Sequence, residues 1–300
     1  MLTIAYHPIY HHPLPPGHRF PMEKYSLLPQ QLLREGTCTE ENFFTPSPIS
    51  ESEIVKIHTA EYWEKLKSLN LTRQEERKTG FPLSAKLVER EITIAGGTVE
   101  NTQMALKHGV SMNIAGGTHH AFTDRGEGFC LLNDIALGAS HLLDQDPSRQ
   151  ILVVDLDVHQ GNGTAQIFEN EDRVFTFSMH GGNNYPLHKE TSNLDVPLPD
   201  GIGTKDYLKL LDHHLPRLIE EVEPDFIFFQ SGVDILHTDK LGRLGVSPEG
   251  CKERDRMVFS RCIENQIPVA VNMGGGYSPD LRDILEAHAN TFRLAQDLYF

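Results

Sequence analysis

The chain has 300 residues, 39% of them hydrophobic and 23% charged, and a formal net charge of −15 at neutral pH. This is ordinary globular composition with ample material for a core, and the acidity argues against a direct nucleic-acid binder, which needs a basic patch. It suits a cationic ligand or a basic peptide, although acidity by itself also serves solubility.

In chain order, Leu2–Tyr6 reads as a first strand. The Pro- and His-rich stretch from 7 to 21 follows as a loop over one face, and His7, His11, His12 and His18 are loop histidines, with no carboxylate or Cys pattern beside them. Glu23–Arg34 and Ser52–Leu69 carry apolar residues at helical intervals. Arg73–Pro82 (RQEERKTGFP) is a charged loop expected at a rim. Ser84 starts a helix to about His108 whose Gly96-Gly97 pair implies close packing or a kink. Val110–Ala115 is a strand ending in GGTHHA, and Asn133 is an N-cap for a helix through about Asp144. Strands Ile151–Asp157 and Val174–His180 come next, then a helix capped by Thr204 and interrupted or kinked at Pro216. Phe226–Gln230 is a wholly apolar strand. Ser247-Pro248 and Ser278-Pro279 are N-cap-plus-proline starts of two late helices, with strand Ile267–Asn272 between them.

Strands alternating with helices imply one doubly wound α/β domain over residues 1–300. Cys38, Cys130, Cys251 and Cys262 have no CxxC spacing and are read as free thiols. MLTIAYHPIY lacks the basic and apolar regions of a secretory signal, and no apolar run approaches the roughly 20 residues of a bilayer span. A soluble cytoplasmic protein without a membrane partner is expected; the oligomeric state is not legible.

Five strands end in polar clusters, GGTHHA, DLDVH, SMH, SGVD and GGGY. In open α/β sheets the crevice beyond the strands' carboxyl ends is the functional one, so these clusters should meet there. The stretch ILVVDLDVHQGNGT (151–164) is an apolar run ending abruptly in carboxylates and an imidazole, and period-two alternation puts Asp155, Asp157 and His159 on one side. Asp157, His159 and Asp234 form a natural set of three ligands for Zn²⁺ or another first-row divalent ion, with one position open to a water whose pKa falls toward about 7. The Gly161-Asn162-Gly163 segment reads as a turn that reverses the chain.

His119-His120 follows Gly116-Gly117, where the chain turns and both rings can reach the site. Such imidazoles take a proton from the water and return one to a leaving amine, worth about 10²–10⁴-fold, with Asp155 and Asn162 as candidate orienters. A merely structural pair is the alternative, and it is the better reading for His213-His214 in mid-helix. Tyr277 follows three glycines, which bring backbone close to a ligand and aim a phenol at a developing oxyanion. Phe129 and Tyr185 are aromatics placed to wall a narrow channel, although either alone is more often core.

GGTHHA, GFCLLND, DLDVHQGNGT, SGVDILHTDKLG and GGGY, in this order and spacing, resemble the zinc-dependent histone deacetylase family over nearly the whole chain. SGVDILHTDKLGRLGVSPEG and RKTGFP resemble the class IV branch and its bacterial relatives more than class I. The resemblance implies the arginase/deacetylase α/β fold with a central, mostly parallel eight-stranded sheet. It implies one catalytic Zn²⁺ per chain on Asp157, His159 and Asp234. His120 would be general base and acid, His119 with its partner Asp155 an electrostatic support, and Tyr277 the group polarising the amide carbonyl. Gly128 and Phe129 would wall the channel, with Tyr185 opposite where the family usually has Phe, and Leu241 as a further apolar channel residue. A structural K⁺ is implied on the backbone carbonyls of Asp155, Asp157 and His159 with Ser178 and Met179. Asn162 stands where class I has Asp, which should leave His120 less basic.

The activity so implied is amide hydrolysis of an N-acyl-lysine peptide or protein, or of a related acylated amine. Acetylpolyamines and small acetylated metabolites are the alternative substrates, and the class IV resemblance raises long fatty acyl chains. A binuclear manganese ureohydrolase would need further bridging carboxylates, and SGVDILH offers only Asp234. A non-catalytic acyl-lysine binding protein would be expected to have lost a ligand or Tyr277.

Overall fold

Apolar runs too short for helices satisfy their backbone groups by pairing with one another, and eight do so here. In the computed structural model, which describes residues 1–300, they are β1 (Thr3–Ala5), β2 (Phe43–Phe44), β3 (Val110–Asn113), β4 (Ile151–Asp155), β5 (Val174–Gly181), β6 (Leu194–Leu198), β7 (Phe226–Gln230) and β8 (Val269–Asn272). All pair in parallel in one sheet, in the order β2-β1-β3-β8-β7-β4-β5-β6. The helices are α1 (Lys24–Glu35), α2 (Glu51–Ile57), α3 (Ala60–Lys67), α4 (Arg73–Thr79), α5 (Ala85–His108), α6 (Asp134–Gln145), α7 (Asn162–Ile167), α8 (Thr204–Val222), α9 (Pro248–Glu264) and α10 (Leu281–Tyr299). The central strands read as continuous apolar runs because both faces are covered. Leu152 and Val154 join one core with Ile227 and Phe229, while Ile151 and Val153 join the other with Phe226 and Phe228.

Tertiary contacts redraw several boundaries. Ser52–Leu69 is two helices: α2 stops at Ile57 because His58 turns inward, its Nδ1 donating to Phe122 O at 2.9 Å and its Nε2 accepting from Asn133 N at 3.0 Å. Thr59 then caps α3. Arg73–Pro82 is helical through Thr79 rather than a loop, since Thr72 and Glu75 form a capping box and Gly80 ends the helix at φ 79°. Thr204 is the first helical residue of α8, not its cap; its hydroxyl accepts from Ser247 N, and the helix runs on through Pro216. Asp280, not Ser278, caps α10, because the Ser278 hydroxyl is taken by Thr238.

The Gly96-Gly97 pair serves close packing: α5 continues through it, and a Cβ at Gly96 would meet Ser47 O at 1.9 Å. The pattern missed β2, only two residues long, and β6, which is half-exposed and contains Pro197. All four cysteines are free and buried. No helix is long and apolar enough to cross a membrane.

Candidate active site

Strand β4 ends at Asp155, two residues short of the expected Asp157, and the following backbone is held by the acids themselves. Asp155 Oδ1 accepts from Asp157 N at 3.1 Å, and Asp157 Oδ1 accepts from His159 N at 3.0 Å. Asp234, beyond the neighbouring β7, accepts from Val158 N through Oδ1 at 2.9 Å. Asp157, His159 and Asp234 therefore converge, with one ligand atom from each lying within 4.8 Å of the others, all buried. His159 Nδ1 is 3.1 Å from Asp157 Oδ1 and 3.2 Å from Asp234 Oδ2, and Asp234 Oδ2 accepts no hydrogen bond. A Cβ at Gly275 would sit 1.9 Å from that oxygen, so only glycine leaves it room. Burial and the adjacent Asp157 raise the Asp234 carboxyl above the usual range. Two buried carboxylates and an imidazole with an uncommitted oxygen fit a small divalent cation.

The histidine pair is split electrically. Burial disfavours charge on His119, but the Asp155 and Asp157 carboxylates outweigh it and push the ring up to about 9. Its Nδ1 lies 2.6 Å from Asp155 Oδ2. His120 is held well below 6.5 by burial and then by its neighbours His119 and His159. Its Nδ1 donates to Asn162 Oδ1 at 2.7 Å, a neutral partner, which leaves Nε2 as the unprotonated nitrogen. Asn162 opens helix α7 instead of forming a turn, and the helix start is tied back by Thr164 N donating to His119 O at 3.1 Å. Two titratable groups 4.1 Å apart between ring centroids are thus driven to opposite protonation states.

Phe129 and Tyr185 form the walls. Tyr185 meets His120 edge-on at 5.0 Å between centroids, while Phe129 packs 6.0 Å from Tyr277. Gly128 lies at φ 55°, and a Cβ there would approach His120 Cδ2 to 2.6 Å. Phe129 itself adopts φ 68°, held by its N–H donating to Thr79 O at 2.8 Å. Tyr277 faces His159 at 6.3 Å, and burial with the Asp234 and Asp157 charges keeps its phenol protonated. Leu241 lines the outer channel with Tyr185, and its carbonyl accepts from Asn184 Nδ2 at 2.6 Å. The residues expected to hold K⁺ are also adjacent: Asp155 pairs with Ser178 in register, Met179 follows, and the Ser178 hydroxyl lies 2.9 Å from His180 Nδ1. His213 and His214 stand away on α8, as expected of a structural pair.

Three positioning acids and bases escaped the sequence reading. Asp134 accepts from Gly117 N, Thr118 N and the Thr98 hydroxyl, fixing the turn before the histidines. Asp239 accepts from Leu241 N, Gly242 N and, at 2.6 Å, Tyr277 N, so it aims the phenol. Arg254, fully buried and paired with Asp255, donates to Leu156 O, Ser231 O and Gly232 O, tying the two ligand-bearing loops together. Asp239 lies inside SGVDILHTDKLG and was findable as a turn acid; Arg254 looks like any charge on an amphipathic helix.

A fully parallel eight-stranded sheet with a buried Asp-His-Asp cluster and a polarised histidine pair at its carboxyl edge defines the arginase/deacetylase class. Within it, the chain belongs to the histone deacetylase family, whose domain matches residues 18–292. It is 42% identical over 296 residues to an uncharacterized protein of Picosynechococcus sp., covering 99% of both chains. It is 30% identical over 269 residues to histone deacetylase 2 of Arabidopsis thaliana, covering 87% of this chain and 70% of that one. A probable deacetylase of Archaeoglobus fulgidus is 29% identical over 300 residues, 92% of this chain and 81% of its own. The crystal structure of a histone deacetylase homolog complexed with SAHA aligns with TM-score 0.83 and 25% identity over 98% of this chain and 82% of that one. The homolog from Aquifex aeolicus shares the fold at TM-score 0.83 and 24% identity, covering 97% and 82%. The family's chemistry is hydrolytic deacetylation.

Proposed function

We propose that this protein is a zinc-dependent hydrolase that removes a short acyl group from a lysine-like amine. The observation that carries the reading is the split histidine pair beside a cation-shaped Asp-His-Asp cluster at the base of an aromatic channel. Asp157, His159 and Asp234 would hold the ion, which when bound supplies Lewis acidity toward an amide carbonyl and acidifies water near neutral pH. His120 Nε2 accepts the proton of the attacking water, because Asn162 fixes its other nitrogen as the donor. His119 stays charged through Asp155 and supplies a fixed positive field. The Tyr277 hydroxyl donates to the oxyanion as the carbonyl opens, and His120 passes its proton to the departing amine. Phe129 and Tyr185 keep bulk water off the reacting carbon.

The acyl end of the site argues for a short group. The inner cavity holds only about 40 Å³ and is lined in part by Arg90, a buried side chain paired with Glu91. A volume of that size takes a methyl group and not a fatty chain, so acetyl is preferred over octanoyl and longer groups. A structural K⁺ at Asp155, Asp157, His159, Ser178 and Met179 belongs to the same proposal, as does placement near the class IV branch. The free, buried thiols suit a reducing, cytoplasmic setting.

Turnover of acetyl-, octanoyl- and myristoyl-lysine peptides by zinc-loaded protein tests the reading. Acetyl-lysine should be fastest, and Tyr277→Phe should lower its rate about 10²–10³-fold while zinc content stays at one per chain. Wild-type turnover in that variant would remove Tyr277 from the mechanism, and faster myristoyl hydrolysis would overturn the short-acyl assignment.

A further inference from the structure

The channel mouth carries a sign opposite to that of the molecule. At a net charge of −15 a cationic substrate is the simple expectation. Yet the outer cavity of about 520 Å³, continuous with the site at Tyr277 and His120, is lined by Arg19, Arg77 and Lys78 against a single carboxylate, Glu127. Glu127 is already engaged: Oε2 accepts from the Tyr185 hydroxyl and Oε1 from Arg125 Nε, each at 2.9 Å, with Lys78 Nζ 3.7 Å away. The acids of α4 are occupied elsewhere. Glu75 accepts from Lys65 Nζ at 3.1 Å, and Glu76 accepts from Leu83 N at 2.8 Å. Arg77 Nε donates only to Arg73 O, at 3.2 Å, and the Arg19 guanidinium rests 5.1 Å over the Phe129 ring without an acidic partner.

Arg19 and Arg77 have no acidic partner, and Lys78 shares Glu127 with Arg125, so the excess beside the apolar walls is positive and focuses the local field. The Debye length is about 8 Å at physiological ionic strength, so these near cations outweigh the distant surface acids during the last steps of approach. We propose that the mouth recognises carboxylates flanking the acylated amine: the arm enters past Arg19, Arg77 and Lys78 from an anionic body, an acidic stretch of polypeptide or a small acyl-amine bearing a carboxylate. Polyamines, and lysine set among basic residues, are disfavoured. This rests on the deacylase reading and names its substrate class.

The test uses the zinc-loaded full chain and equal-length acetyl-lysine peptides flanked by Glu, Ala or Lys. Nε-acetyl-lysine, as free carboxylate and as methyl amide, forms a second series. At low ionic strength kcat/KM should fall from Glu to Ala to Lys, about tenfold between the extremes. The spread should collapse near 1 M salt, where the Debye length is about 3 Å, and the Arg19→Glu, Arg77→Glu double variant should invert the Glu-to-Lys ratio. Order in one series alone identifies the source of the anion; flat or reversed order in both overturns the proposal. Binding of labelled Glu- and Lys-flanked peptides is measured alongside. Absence of all turnover then strikes the deacylase reading, while the binding order still decides the mouth.

Discussion

The floor and the mouth of the channel are built on opposite terms. The floor gathers Asp155, Asp157 and Asp234, buried at the ends of two central strands and aimed by backbone N–H groups. The mouth gathers Arg19, Arg77 and Lys78, exposed on a loop and a seven-residue helix with few restraints on their heads. Buried carboxylates must be paired with a cation or a proton, and the Asp157-His159-Asp234 cluster is shaped to hold one. Exposed cations face no such demand and serve to sort what approaches. Reaction chemistry thus sits on buried backbone pinned by hydrogen bonds just beyond the central strands, and selection sits on the exposed rim, where side chains can vary without disturbing it.

The largest effect that sharpens this contrast comes from the floor. Asp234→Asn removes one of the two ligand charges; zinc content by elemental analysis should fall well below one per chain and acetyl-lysine turnover by about 10³-fold, beyond the 10–100-fold typical of outer-sphere partners. Normal zinc content with normal turnover would break the assignment of the floor. Next is His58, which joins α2 to the segment that follows the histidine pair, at Phe122 and Asn133. Burial holds its ring down to about 4, far below the ordinary 6.5. The unfolded chain therefore binds a proton that the native state refuses, and the contribution of His58 to stability, complete above about pH 6.5, should decline toward pH 4 by about 3 kcal/mol. Urea unfolding at the two ends of that window checks it, and His58→Asn, less stable at neutral pH, should lose less than wild type on acidification. Gly128→Ala has a somewhat smaller expected effect: a methyl 2.6 Å from His120 at a left-handed backbone position should displace the ring and reduce kcat about 10²-fold with zinc retained. The charge reversal at the mouth, about tenfold in a ratio of substrates, is the smallest and acts at the mouth alone.

The legibility of the sequence follows the same division. The ligand set, the histidine pair, Asn162 and Tyr277 were readable because each stands where an apolar strand stops and glycine-rich backbone begins, a local pattern that needs no partner to be noticed. The central strands were readable for the same reason, each being a short apolar run buried on both faces. Residues whose work depends on distant chain were not. His58 breaks a helix that periodicity runs straight through, Asp239 aims a tyrosine 38 residues away, and Arg254 ties together the loops after β4 and β7. Composition speaks only for the whole molecule: a net charge of −15 suits a cationic ligand, and only the fold shows that Arg77 and Lys78 of α4 line the mouth while Glu75 and Glu76 are hydrogen-bonded to Lys65 and to Leu83 N.

By itself, then, the sequence determined which atoms are available for chemistry, the alternation of strand and helix, and the family. Only the tertiary structure decided which nitrogen of His120 is free, where α4 ends, how deep the acyl cavity runs and what sign the mouth presents. Those properties belong to contacts between residues far apart in the chain, and the local pattern of residues does not contain them.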